Sequence, residues 1–168
     1  MNHIIENRRS IRKFKPDIPI TREQLDELIH AAMLAPSAYN NQPWELIAIT
    51  NRELLCRIAE ALPNAVPCTT SPAAIVIVAV PKHGRLEDYY PQECGAAAQN
   101  ILLQVEDMGL GSCWCGVWPV GERIQAVRAL LEVPESKIPF CVIAVGVADE
   151  SPRPRKNLEP SKVTRFLI

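Results

Sequence analysis

Apolar positions along this chain come in two patterns, a helical spacing and contiguous runs, with turn-forming clusters between them. Leu25, Leu28, Ile29 and Ala32 recur at helical spacing, and Thr21 with Gln24 forms the capping box that opens such a helix. That helix stops before Pro36. Leu54, Leu55, Ile58 and Leu62 share one face of a second amphipathic helix, which Asn51 can cap. Residues 3–9 suggest a short helix ending in a basic cluster, and residues 122–132 suggest another. Strands are predicted at 44–50, 73–80, 111–117 and 139–148. Residues 92–108 make the longest predicted helix, closed by Gly109 as a C-terminal cap. Its centre, GAAAQNILLQV, is apolar around most of its circumference. Burial on several sides follows, either in a central core or at a subunit interface.

Strands and helices alternate, which implies a sheet covered by helices on both faces; alternation by itself points to parallel strands. No internal repeat or low-complexity stretch breaks the order. The closing segment, 150–168, holds three prolines and no core pattern of its own. It is therefore expected to be disordered or to lie along something else.

Composition narrows the class. At 168 residues the chain has the size of one domain, 1–168, long enough to enclose a core without a metal or disulfide staple. A net charge of −1 provides no global field for nucleic acid or an anionic membrane. No apolar run approaches the ~20 residues needed to span a bilayer. The opening MNHIIENRRS lacks the order of a secretory signal, so a cytoplasmic location is expected. Of the six cysteines, Cys56, Cys94 and Cys141 fall inside apolar segments, where a free thiol acts as a small hydrophobe. There is no C-x-x-C pair, and histidines 3, 30 and 83 have no ligand spacing, so no metal is expected.

The distribution of charge says more than its total. Arg8, Arg9, Arg12, Lys13 and Lys15 stand against Glu6 alone at the start of the chain. Arg153, Arg155, Lys156, Lys162 and Arg165 stand against Glu150 and Glu159 at its end. Both ends are basic and the body is acidic. Solvated tails explain this, and so does convergence of the two ends on one anion.

Three segments carry candidate chemistry. RRSIRKF (8–14) places Arg8, Ser10 and Arg12 close together at a helix end, where guanidinium forks and a hydroxyl suit a doubly charged phosphate. The loop APSAYNNQPW (35–44) offers Ser37, Asn40, Asn41 and Gln42; amides suit the carbonyl and ring-nitrogen edge of a flavin, and equally an Asx-turn bonded to backbone. GLGSCWCG (109–116) fails as a dinucleotide fingerprint, because it follows a helix and opens a strand, although its glycines permit close approach of backbone to a ligand.

Taken in order, RRSIRKF, PSAYNNQPW, ECGAAAQNILLQ, GLGSCWCG, IAVGVA and PRPRK resemble the nitroreductase family of FMN enzymes over nearly the whole chain. The resemblance implies an α+β fold, a three-layer α/β/α sandwich with a mixed central sheet in an intertwined homodimer, with the tail 150–168 reaching the partner subunit. It implies that Arg8, Arg9, Ser10 and Arg12 hold the phosphate and the ribityl–pyrimidine side of FMN, and that Arg155 and Lys156 close on the phosphate. Pro36, Ser37, Ala38, Asn40 and Gln42 would come from the partner subunit, and Cys115 and Gly116 would lie beside the flavin with backbone N–H near N5.

The activity implied is an FMN-dependent NAD(P)H oxidoreductase, with NADH or NADPH as donor. It would reduce a small-molecule acceptor, a nitroaromatic or quinone, by a ping-pong two-electron mechanism. No side chain is singled out as acid or base, since the cofactor carries the chemistry, and neither a Ser-His-Asp nor a paired-carboxylate site is evident. A flavin-binding protein without turnover, a sensor or store, is the alternative, and a scaffold dimer without cofactor is a third. Residues 82–91 leave little room for the lid-like insertion of larger members; Tyr89 and Tyr90 either line the pocket mouth or pack under a loop. Glu93 stands where an acidic residue, often aspartate, is expected. Cys113 and Cys115 are read as filling small apolar positions.

Overall fold

A computed structural model describes residues 2–81 and 87–152. Its helices are α1 (His3–Asn7), α2 (Arg22–Met33), α3 (Arg52–Ala61), α4 (Tyr90–Asp107) and α5 (Gly121–Leu131). The strands are β1 (Trp44–Ile49), β2 (Ala73–Ala79), β3 (Gly111–Gly116) and β4 (Ile138–Gly146).

Local chemistry sets the boundaries. Thr21 Oγ1 accepts from the Gln24 N–H at 3.2 Å while Gln24 Oε1 accepts from the Thr21 N–H at 2.9 Å, the reciprocal box expected for α2. Asn51 Oδ1 accepts from the Leu54 N–H at 2.9 Å and opens α3. Pro91 sits in the first turn of α4, where its missing N–H costs nothing. Gly109, at φ 69°, ends α4: the Leu110 N–H donates to the Val105 carbonyl and the Gly109 N–H to that of Glu106, a Schellman closure.

The strands form one sheet in the order β1-β2-β4-β3, and all three pairings are antiparallel. The parallel order suggested by alternation is therefore not realised. α3 and the 3₁₀ turn Val66–Thr69 together return the chain to the end of the sheet where β1 finished, so β2 runs back along it. The mixed character expected of the sheet is confined, among the described residues, to a parallel bridge between Ser10 and Ser112.

β2 is buried at every position, and its side chains alternate between two cores. Ala73, Ile75, Ile77 and Ala79 pack with Leu25, Leu28, Ala98, Ile101 and Val105, beneath α2 and α4. Ala74, Val76 and Val78 pack with Leu55, Ile58, Leu62 and Val127, beneath α3 and α5. The result is the expected three layers. α4 is buried along one stripe, Glu93, Cys94, Ala97, Ala98, Ile101, Leu102 and Val105, while Ala96 and Leu103 stay half-buried. No helix among the described residues is long and apolar enough to cross a membrane.

Candidate functional site

The segment after α1 is stitched to the outer edge of the sheet. The Ile11 N–H donates to the Ser112 carbonyl at 2.8 Å, and the Lys15 N–H to that of Val147 at 3.0 Å. Ile11 and Phe14 sink into the core beneath α3 and α5. Arg12 and Lys13, between these two buried residues, are exposed. Arg8, Arg9, Ser10 and Arg12 line one pocket of about 640 Å³, together with Glu150, Ser151 and Pro152.

The four predicted residues come together, but their duties differ. Arg9 Nη1 donates to the carbonyls of Glu6, Asn7 and Arg8 at 2.7 to 3.0 Å, capping the C-terminal end of α1. Glu150 was not singled out in the sequence as a site residue. Its Oε1 accepts from the backbone N–H groups of Arg12 and Lys13, tying the segment after β4 to the basic segment across 138 residues. No local pattern announces such a contact. Three guanidiniums and a hydroxyl against one carboxylate leave the pocket cationic, a suitable seat for a phosphate. Arg155 and Lys156 lie outside the described residues.

Pro36, Ser37 and Ala38 line a second pocket of about 310 Å³, together with Tyr89, Gln92, Glu93 and Ala96. The two pockets of one chain share no lining residue. The loop between α2 and β1 is unusual in its backbone: Tyr39, Asn40 and Gln42 have φ of 53°, 53° and 45°. Left-handed conformations cost non-glycine residues on the order of 1 kcal/mol each. Ser37 Oγ accepts from the Gln42 N–H at 2.9 Å, and Glu93 Oε1 accepts from the Ala38 N–H at 2.6 Å. Tyr39 is 90% exposed. Asn40 and Gln42 are exposed too, so their amides face outward rather than into the loop's own core. Tyr89 rims this pocket. Tyr90 instead packs edge-on against Trp118, with ring centroids 6.2 Å apart.

At the end of β3 Cys115 is fully buried, so its thiol is closed to a ligand. The Gly116 carbonyl accepts from Asn64 Nδ2 at 2.9 Å and from Arg123 Nη1 at 3.1 Å, two further residues that the sequence did not mark. A side chain placed at Gly116 would meet nothing within 4 Å, so the backbone there is open to close approach. Cys113, Cys115 and Cys68 occupy the core beneath α3 and α5, as small apolar fillers do. A hydrogen bond with Cys115 draws the Cys68 thiol below its ordinary pKa and pushes Cys113 above its own. Cys94 is pushed up to about 12 by burial. No group of histidine, cysteine, aspartate or glutamate able to hold a metal exists among the described residues.

An α/β/α sandwich with a cationic pocket at its edge defines a class, and comparison with known proteins specifies it. The chain matches the nitroreductase family model over residues 5–67 and 67–147 and belongs to that family. It is 37% identical, over 95% of its length and 83% of the relative, to a protein of Methanothermobacter thermautotrophicus with the provisional name NADH dehydrogenase/NAD(P)H nitroreductase. Among solved structures it resembles an FMN-dependent nitroreductase from Clostridium difficile, with TM-score 0.90, 30% identity and full coverage of both chains. It also resembles an NADPH:FMN oxidoreductase from Vibrio harveyi complexed with NAD+. There the TM-score is 0.85 and the identity 26%, covering 98% of this chain and 75% of that one.

Proposed function

We propose that this protein is an FMN-dependent NAD(P)H oxidoreductase that reduces a small electrophile, a nitroaromatic or quinone, in two-electron steps with donor and acceptor alternating at one site. The observation that carries this reading is the cationic pocket of Arg8, Arg9, Ser10 and Arg12 in a chain of this family. The residues present suit FMN. Guanidiniums and a hydroxyl match a phosphate at one end, and the open backbone at Gly116 suits a flat ring at the other.

Arg8, Ser10 and Arg12 would hold the phosphate, with Arg9 fixing the end of α1 beside them. Arg155 and Lys156 would close over it from the far end of the chain. Backbone at Cys115 and Gly116 would meet the ring, held in place by the Asn64 and Arg123 donors on the Gly116 carbonyl. Bound FMN supplies the redox chemistry, taking hydride equivalents from a nicotinamide and passing them on. The protein's part is to position both partners and favour negative charge there.

The site is completed by a second copy of the chain, whose Pro36, Ser37, Ala38, Asn40 and Gln42 would face the ring. Separation of the two pockets within one chain supports this. So does a second apolar surface: Ile5 at 48% and Leu34 at 68% exposure flank a groove with Ile4, Ala31 and Leu103. The outer edge of β1 has no strand partner among the described residues, and an apolar groove of Ile20, Leu25, Ile29 and Ala48 runs beside it. That edge suits a tail from the partner, within a single domain spanning 1–168.

The reading is tested by adding FMN, desalting and measuring the retained flavin. Wild-type protein is expected to keep a stoichiometric band. Replacing Arg8 and Arg12 together with alanine is expected to weaken binding about a hundred-fold or more, since charge-assisted bonds contribute about 1.5–3 kcal/mol each. Retention that ignores both substitutions would remove the arginines from the site.

A further inference from the structure

Glu93 is the one buried carboxylate among the described residues, 4% exposed in the first turn of α4. Burying a charge is costly unless hydrogen bonds offset it. Oε1 accepts from the Ala38 N–H at 2.6 Å, while Oε2 is buried without a partner among the described residues. The charged residues nearest it along the chain, Glu87 and Asp88, are themselves acidic, and no ion pair to Glu93 is formed among the described residues. Stability alone would favour an apolar side chain at such a place. What Glu93 does hold is the entry to a loop with three left-handed non-glycine residues, Tyr39, Asn40 and Gln42. On its other flank the loop is held by the Ser37 Oγ bond to the Gln42 N–H. Glu93 and the loop's Pro36, Ser37 and Ala38 line one pocket with Tyr89.

We propose that Glu93 is a positioning residue for flavin binding: through the Ala38 N–H it holds the 36–42 loop in the strained form that meets the isoalloxazine end of a flavin bound by a second copy. This rests on the reading of the site given above. Glu93 itself need not touch the flavin. Its effect is confined to the ring end of the ligand, whereas the arginine pocket acts on the phosphate. Riboflavin, which has the ring and ribityl chain but no phosphate, separates the two.

The experiment is titration of FMN and of riboflavin against wild-type protein, Glu93→Ala, Glu93→Gln, Ala38→Pro and Arg12→Ala, followed by flavin fluorescence. Ala38 follows an extended residue and opens a 3₁₀ turn, so proline fits there and removes only the N–H that Glu93 engages. Glu93→Ala and Ala38→Pro are expected to weaken FMN and riboflavin by the same factor, about ten- to a hundred-fold for a buried charge-assisted bond, leaving their ratio as in wild type. Glu93→Gln keeps an acceptor oxygen and is expected to stay within about three-fold of wild type. Arg12→Ala is expected to weaken FMN alone.

Should Glu93→Ala fail to fold, Ala38→Pro carries the same expectation. Wild-type affinity for both flavins in Glu93→Ala or Ala38→Pro, alongside a selective FMN loss in Arg12→Ala, overturns the role of Glu93 and leaves the site standing. A wild-type protein that binds neither flavin overturns both.

Discussion

Single residues carry sharply different burdens in this molecule. Gly111 opens β3, and a Cβ there would lie 2.8 Å from Ile11 Cγ1 and 2.9 Å from Ile11 Cβ. The Ile11 N–H donates to the Ser112 carbonyl beside the Ser10–Ser112 bridge, and Ser10 and Arg12 on either side of it line the cationic pocket. Gly111→Ala is therefore expected to push the basic segment off the sheet and lower FMN retention about ten-fold or more, a close-packing effect with no charge altered. Equal retention in this variant, measured after desalting, would show that the segment's seat does not govern the pocket. Cys94 raises a separate matter. Burial pushes its pKa up to about 12 from 9.0, so the folded state holds the proton where the unfolded chain releases it. Stability contributed by the neutral thiol is complete below pH 9 and is lost as pH rises towards 12. Urea midpoints under reducing conditions are expected to fall across that window, and less steeply in Cys94→Ala.

Elements were legible wherever a local rule governs them. The capping box at Thr21, the Asn51 cap and the glycine closure of α4 are each written in a few adjacent residues, and the structure places them as read. Gly109→Ala is accordingly expected to cost about 1 kcal/mol, visible as a lower urea midpoint, because alanine resists φ of 69°. Gly109→Asn should recover part of that loss; an unchanged midpoint in Gly109→Ala would deny the closure a role. Strand direction was not legible, since it depends on how residues 62–72 turn the chain back, and alternation of strands and helices allows either sense. The same limit applies to the site. RRSIRKF marked the arginines, but Glu150, Asn64 and Arg123 reach it from 138, 52 and 7 residues away along the chain through hydrogen bonds that no local spacing encodes.

Across the whole molecule, one chain carries two pockets that share no lining residue, read above as two parts of one flavin site. The cationic pocket lies with the outer edge of β3, while the 36–42 loop lies between α2 and β1 against α4. Pairing of two copies is the economical way for both to act on one ligand, and the exposed Ile5, Met33 and Leu34 give that pairing an apolar surface. Sedimentation is expected to give twice the chain mass of 18.7 kDa. Leu34→Glu is expected to shift it towards the monomer and to lower flavin retention in parallel; a stable monomer that keeps its flavin would refute the shared site.

Redox turnover of the bound flavin is read from the visible spectrum of FMN-loaded protein under anaerobic NADH and NADPH, followed by addition of a quinone or nitroaromatic. The flavin band is expected to bleach with at least one nicotinamide and to return when the acceptor is added. A retained band that neither nicotinamide bleaches would contradict the proposed activity.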